Sequence, residues 1–132
     1  MSSVQENVSI VRRGYRAFNE ADIAALTELF DENVSWHTPG CSSIAGDAVG
    51  RDAVLSRIGR CARETGGTFR ADLKRMLTDE DGNVVVIHHN VGARNGKELD
   101  LYSCVVFEMA DGRIVDGREH FYDLHAWDEF WA

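Results

Sequence analysis

The chain is poor in the residues that mark several protein classes. Among its 132 residues are one proline and three cysteines, and no apolar run approaches the ~18 residues of a membrane span. Cys41, Cys61 and Cys104 are an odd number without C-x-x-C spacing, which excludes a disulfide frame and a zinc knuckle and fits reduced, small hydrophobes. Basic residues are scarce too: 14 Lys and Arg stand against 22 Asp and Glu, for a net charge of -8. A polyanion partner needs cationic side chains that release phosphate counterions, and the densest basic stretch, Arg51 to Arg63, is interrupted by Asp52. Nucleic acid is therefore excluded as a partner, and so is a membrane. The amino terminus is polar rather than a charged-then-apolar leader, so a cytoplasmic location is expected. No H-x-x-x-H pair, phosphate-cradling glycine motif or G-x-S-x-G elbow occurs, and Cys41 has no identifiable base beside it. Neither a metal, another cofactor nor covalent catalysis is expected.

What remains is a composition suited to one packed core: 44% hydrophobic and 27% charged residues, spread along the chain. A single domain over residues 1–132 would remove roughly two thirds of its unfolded surface from water. Val4, Val8, Val11, Tyr15 and Phe18 alternate steps of four and three, the stripe of an amphipathic helix. Asp22 is placed to cap a second helix carrying Ile23, Leu26, Leu29 and Phe30. Val34 to Thr38 reads as a strand stopped by Pro39-Gly40, and Cys41 to Gly50 as a loop at the rim of whatever the domain encloses. Val54, Leu55, Ile58, Cys61 and Ala62 form the stripe of a third helix, closed by Gly66-Gly67. Four strands follow, Phe69 to Thr78, Val84 to Arg94, Leu99 to Met109 and Arg113 to Tyr122. They are joined by Asp81-Gly82-Asn83, Asn95-Gly96 and Asp111-Gly112, hairpin turns that need positive φ. Leu124, Trp127, Phe130 and Trp131 suit a brief helical turn on the sheet. The order α-α-β-α-β-β-β-β predicts an α+β fold, a curved antiparallel sheet packed on three helices around a cavity. Gly92 and Gly117, inside strands, are read as bulges that ease the bending, or as relief from crowding.

The element order and several motifs resemble the SnoaL-like branch, named for a polyketide cyclase, of the nuclear-transport-factor-2-like superfamily. The matching stretches are Val11 to Asn19 with Asp22, Val34-Ser35-Trp36-His37 before Pro39-Gly40, Gly50-Arg51-Asp52-Ala53-Val54, and Asp111 to Val115 leading to Phe121-Tyr122-Asp123. The resemblance implies a cone-shaped sheet whose mouth opens between helices, a small apolar organic ligand, and a homodimer formed through the outer sheet face. Tyr102, Cys104 and Val106 would make the apolar stripe of that face. The superfamily spans isomerases, cyclases, hydrolases, dehydratases and non-catalytic members, so an acid/base enzyme, a ligand-binding module and a protein-interaction module all remain open. The ketosteroid-isomerase roles are unfilled here: the base position falls near Thr38, the family tyrosine near Gly14 with Tyr15 one residue off, and the acid near Ser103 to Val105.

Alternation along the last strand groups Glu119, Phe121 and Asp123 on one face, and the resemblance turns that face toward the cavity. Asp123 resembles the acid/base aspartate of the cyclase branch, or else it caps the following helical turn. Glu119 is a second acid/base candidate, or the partner of a core arginine such as Arg75. Adjacent His88 and His89 must point to opposite faces, and the family register favours His88 inward with Val86 and Asn90. His88 is then either an acid/base group or a hydrogen-bonded core histidine. Tyr15, Phe18, Trp36, Thr38, Ser103 and Phe121 complete the expected binding surface, with core packing as the alternative for Trp36.

Overall fold

The computed structural model describes residues 3–132. Its elements are α1 (Val4–Asn19), α2 (Ile23–Leu29), β1 (Phe30–Thr38), β2 (Gly46–Val49), α3 (Arg51–Glu64), β3 (Arg70–Thr78), β4 (Val84–Arg94), β5 (Lys97–Ala110), β6 (Arg113–Phe121) and α4 (Leu124–Trp131). The strands form one curved, unclosed sheet in the order β2-β1-β6-β5-β4-β3. The α+β layering holds, but Phe30, expected on the second helix, is instead extended and opens β1, four residues before the expected strand start at Val34, and three further details differ from the expectation. Among the described residues there are four helices rather than three, β2 occupies part of the expected loop 41–50, and β1 lies parallel to β6 in an otherwise antiparallel sheet.

Local chemistry accounts for the regular parts. The side chain of Ser3 accepts the Glu6 N–H to start α1, and Asp22 accepts the Ala25 N–H to start α2. Asn95 and Gly96 have φ of 50° and 75°, and Asp111 and Gly112 have 50° and 76°. Both positions of each two-residue turn are thus left-handed, the hand that matches the twist of the flanking strands. β2 is short because Gly46 and Gly50, both at positive φ, bracket it. It is held to its neighbours on the outer side of β1 by His37, whose Nδ1 lies 2.7 Å from Asp47 of β2 and whose Nε2 lies 2.7 Å from Asp116 of β6. The hydrogen bond with Asp47, more than any other contact, raises the His37 pKa.

The core lies between α1–α3 and the concave side of the sheet, around Val11, Tyr15, Leu26, Val34, Val54, Val86, Val105 and Phe107. A second apolar cluster, with Ile44, Leu99, Leu101, Trp127, Phe130 and Trp131, lies under α4 at one end of the sheet. In α3 the predicted stripe holds at Val54 and Cys61, whereas Ala62 turns to solvent.

Neither strand glycine is a bulge. The register shifts fall elsewhere, between Phe30 and Ser35, between Leu73 and Arg75 and between Glu108 and Met109, whereas Gly92 pairs regularly with Leu99 and Gly117 with Phe107 and Trp36. Each glycine permits a close approach instead. A Cβ on Gly92 would sit 3.3 Å from the Phe69 Cα, and one on Gly117 would collide with the ring of Trp36, which reaches over from the next strand. Gly117→Ala must therefore displace the indole. We expect a loss of about 1–3 kcal/mol in urea unfolding, the usual range for overpacking a filled site, with a changed Trp fluorescence. An unaltered urea midpoint would refute this packing role.

Candidate ligand-binding site

A cavity of about 110 Å³ opens between the helices and the concave side of the sheet. An apolar cavity of about 150 Å³ admits benzene, so the space suits a molecule with one ring. Its lining is chiefly apolar and aromatic, with Phe18, Phe30, Trp36, Phe69, Phe107 and Trp127 among the walls. Edge-to-face contacts fix these rings, Trp36 to Phe107 at 5.6 Å, Tyr15 to Phe107 at 6.1 Å and Phe18 to Phe69 at 5.5 Å. Polar groups are confined to two clusters, with Val105 and Phe107 of β5 between them.

The first cluster is built on β6, β1 and α3. Glu119 faces the cavity from β6, and its Oε1 accepts the Trp36 indole N–H at 2.8 Å and the Thr38 hydroxyl at 2.7 Å. Thr38 Oγ1 in turn accepts a hydrogen from Arg57 Nη1 at 3.2 Å, and the same Nη1 donates to the Gly46 carbonyl at 2.9 Å. Glu119 Oε2 has no protein donor and is not sealed in, so it opens on the cavity that Glu119 lines. Burial raises the Glu119 pKa, opposed by the hydrogen bonds from Thr38 and Trp36 and by the positive charge of Arg57. No bond joins Glu119 to Arg75; the charge is compensated by hydroxyl and indole donors.

The second cluster joins α1 to β4 and β5. Asn90 Nδ2 donates to the Leu101 carbonyl at 3.2 Å, which fixes the amide so that its Oδ1 faces His88 Nε2 at 2.9 Å. That acceptor requires a proton on Nε2, leaving Nδ1 to accept the Tyr15 hydroxyl at 2.6 Å. Ser103 Oγ lies 2.8 Å from Nε2 and accepts from Asn90 at 3.0 Å. Desolvation is the main cause that lowers the His88 pKa to about 4, so the ring is neutral at pH 7. Burial, then the charge of Glu119, raises the pKa of Tyr15 well above the usual phenol value and keeps it a hydrogen donor.

The expected site residues divide accordingly. Glu119, His88, Tyr15, Phe18, Trp36 and Thr38 line the cavity. Ser103 is buried behind His88 rather than on the cavity wall, and Phe121 stacks on Trp127 with ring centroids 4.0 Å apart. Asp123 is exposed, and its carboxylate accepts the Ala126 N–H as the N-cap of α4, so it does not reach the cavity. The capping alternative describes it; β6 ends at Phe121, and the alternation that groups Asp123 with Glu119 no longer applies. His89 points outward, stacked on Tyr102 at 4.7 Å with its Nε2 2.5 Å from Asp100. Arg57 and Trp127 are wall residues that the sequence reading passed over. The signal for Arg57 is its position three residues after Val54 and four before Cys61, on the flank of the buried stripe of α3. Among the described residues no cluster of three or more His, Cys, Asp or Glu is arranged to hold a metal ion. Among the described residues no helix is long and apolar enough to cross a membrane.

A helix-lined cavity over a curved sheet is the architecture implied by the resemblance, and comparison with known proteins agrees. The model of the SnoaL-like domain family matches residues 11–117. This chain belongs to the SnoaL-like family. An uncharacterized protein of Mycobacterium tuberculosis is 33% identical over 126 residues, covering 96% of each chain. The solved structure of Bal32a, from a soil-derived mobile gene cassette, matches with a TM-score of 0.96 and 58% identity over 98% of each chain. An NTF2-like protein of unknown function from Burkholderia pseudomallei superposes with a TM-score of 0.85 at 22% identity, over 100% of this SnoaL-like chain and 99% of its own. At that identity the likeness is one of fold alone.

Proposed function

We propose that the cavity binds a small, largely apolar organic molecule and catalyses a proton transfer on it, as an isomerase, cyclase or hydrolase, with Glu119 as the acid/base group. The observation that carries this reading is Glu119 itself. One carboxyl oxygen is anchored by Trp36 and Thr38, and the other is open to an aromatic cavity in surroundings that raise its pKa. Tyr15, whose hydroxyl hydrogen is held by neutral His88, presents its oxygen lone pairs at the other side of the Val105–Phe107 floor, where they can accept a hydrogen bond from an alcohol or enol hydroxyl of the substrate. His88 orients that hydroxyl, and proton exchange through its Nδ1 belongs to the same proposal. The test is turnover of a panel of one-ring enolisable ketones and epoxides, followed by proton NMR in deuterated buffer. Deuterium incorporation or ring opening above the buffer rate supports an enzyme.

The second reading is a non-catalytic binding module. Its support is the chain from Tyr15 through His88 to Asn90 and Ser103, whose members satisfy one another without a ligand. Binding of panel members with no turnover of any would favour it.

A homodimer through the outer sheet face and a reducing, cytoplasmic setting belong to the same proposal. Supporting the first, Tyr102 and Leu77 are large exposed residues, and half-buried Val85, Ile87, Cys104 and Val106 continue an apolar patch on the side away from the cavity. Supporting the second, all three cysteines are free. Val106→Glu is expected to convert a dimer to a monomer in sedimentation velocity at micromolar concentration, because it places a carboxylate in the middle of that patch. A wild-type monomer under those conditions would count against the dimer.

A further inference from the structure

Arg57 is the cationic side chain of the cavity wall, and among the described residues no carboxylate forms an ion pair with it. Its two protein hydrogen bonds, to Thr38 and to the Gly46 carbonyl, both use Nη1. Nε and Nη2 are left without protein acceptors and are not sealed from solvent or the cavity. A half-buried guanidinium beside apolar walls is poorly hydrated, and its planar fork of donors matches a carboxylate better than any neutral oxygen. The nearest anionic side chain of the cavity, Glu119, is separated from Arg57 by the Thr38 hydroxyl and has its charged form disfavoured by burial.

Building on the reading that the cavity takes an organic molecule, we infer that this molecule is a one-ring organic acid, its carboxylate paired with the free edge of Arg57 and its ring laid against Trp36 and Phe107. The cavity volume limits the ring count, the aromatic walls select the body, and Arg57 selects the head group. With the acid bound, the carboxylate beside Glu119 would favour the protonated carboxyl. Glu119 would then hold its proton until the substrate's reacting atom takes it. A carboxylate-bearing substrate would thus supply both its own anchor and the protonation state of the catalytic acid.

The test measures binding by isothermal titration and ligand-observed NMR at pH 7 with 4-methylbenzoate, 4-methylbenzamide and 4-methylbenzyl alcohol, which share a ring and differ in the head group. Wild-type protein is expected to bind the benzoate at least tenfold more tightly than either neutral probe. Arg57→Gln should remove that preference while leaving the affinity of the neutral probes within about twofold, which also certifies that the cavity has kept its shape. Arg60→Gln makes the same charge change on a side chain bonded to Glu64 and to the Ser43 carbonyl, and should leave the preference intact. Equal binding of the three probes to wild-type protein, or a preference that survives Arg57→Gln, would overturn the inference while leaving a ligand-binding cavity standing. Failure of all three probes to bind would overturn both.

Discussion

Glu119→Gln is expected to reduce turnover of any substrate identified for the cavity by about 10²–10⁴-fold, the usual contribution of a positioned acid/base group, while ligand affinity changes by no more than a few-fold. The two effects separate because the amide preserves half of what the carboxyl does. Its oxygen can still accept the Trp36 indole N–H and the Thr38 hydroxyl, so the side chain remains anchored and the aromatic wall stays in place. The amide nitrogen then occupies the position of Oε2, where it can donate a hydrogen bond but cannot exchange a proton with carbon or oxygen. Steady-state kinetics beside a binding isotherm read the split directly. Equal losses of affinity and turnover would mean that Glu119 only shapes the cavity, and unchanged turnover would remove it from the chemistry.

The second large effect concerns acid stability. His88 has a folded pKa lowered to about 4 from the ordinary 6.5 of an imidazole. A group with a depressed folded pKa contributes stability above its unfolded pKa and loses it as the pH falls through the folded one. Here the unfolded chain takes up a proton near 6.5 that the folded ring refuses until about 4. Linkage then predicts a loss relative to pH 7 of about 2 kcal/mol by pH 5 and about 3 kcal/mol by pH 4. Glu119 acts with the opposite sign. Its raised pKa makes a contribution that is present at low pH and lost as the pH rises through the folded value, so net acid stability understates the effect of His88. Comparison with His88→Gln isolates it: urea unfolding of wild type and variant between pH 7 and 4 should show the difference in stability moving against the wild type by those amounts. Parallel pH curves for the two proteins would exclude His88 as the source.

Much of this architecture is readable residue by residue. Asn95-Gly96 and Asp111-Gly112 announce their turns because a left-handed pair of residues is a local demand, met by local chemistry. Asp22 is legible as a cap for the same reason. Asp123 makes the same kind of cap, yet strand alternation extended past Phe121 offers it an inward direction that the end of β6 cancels. β2 escapes detection because its four residues carry one buried side chain, Ala48, and its pairing depends on His37 and on Val34 to Thr38 rather than on its own pattern. Gly117 is visible as an unusual strand residue, but the reason for it is Trp36, a neighbour only across the sheet. Arg57 reads as one more solvated helix arginine until the cavity is seen beside it. Turns and caps are written into neighbouring residues, whereas β2, the Gly117 contact and the place of Arg57 depend on contacts between distant segments.

The parallel pairing of β1 with β6 has a consequence for the order in which the protein can become active. The bond that anchors the acid/base carboxyl joins Trp36 to Glu119, 83 residues further along the chain. The β3–β6 hairpins form from near neighbours, but closing β1 onto β6 requires a long loop to be gathered first, the slowest kind of contact to make. A chain emerging from the ribosome would hold its helices and early hairpins while half of the site was still being synthesised. Glu119 and Trp127 are thus the last wall residues to be made, and the joining of β6 to β1 that completes the wall is expected to come late in folding.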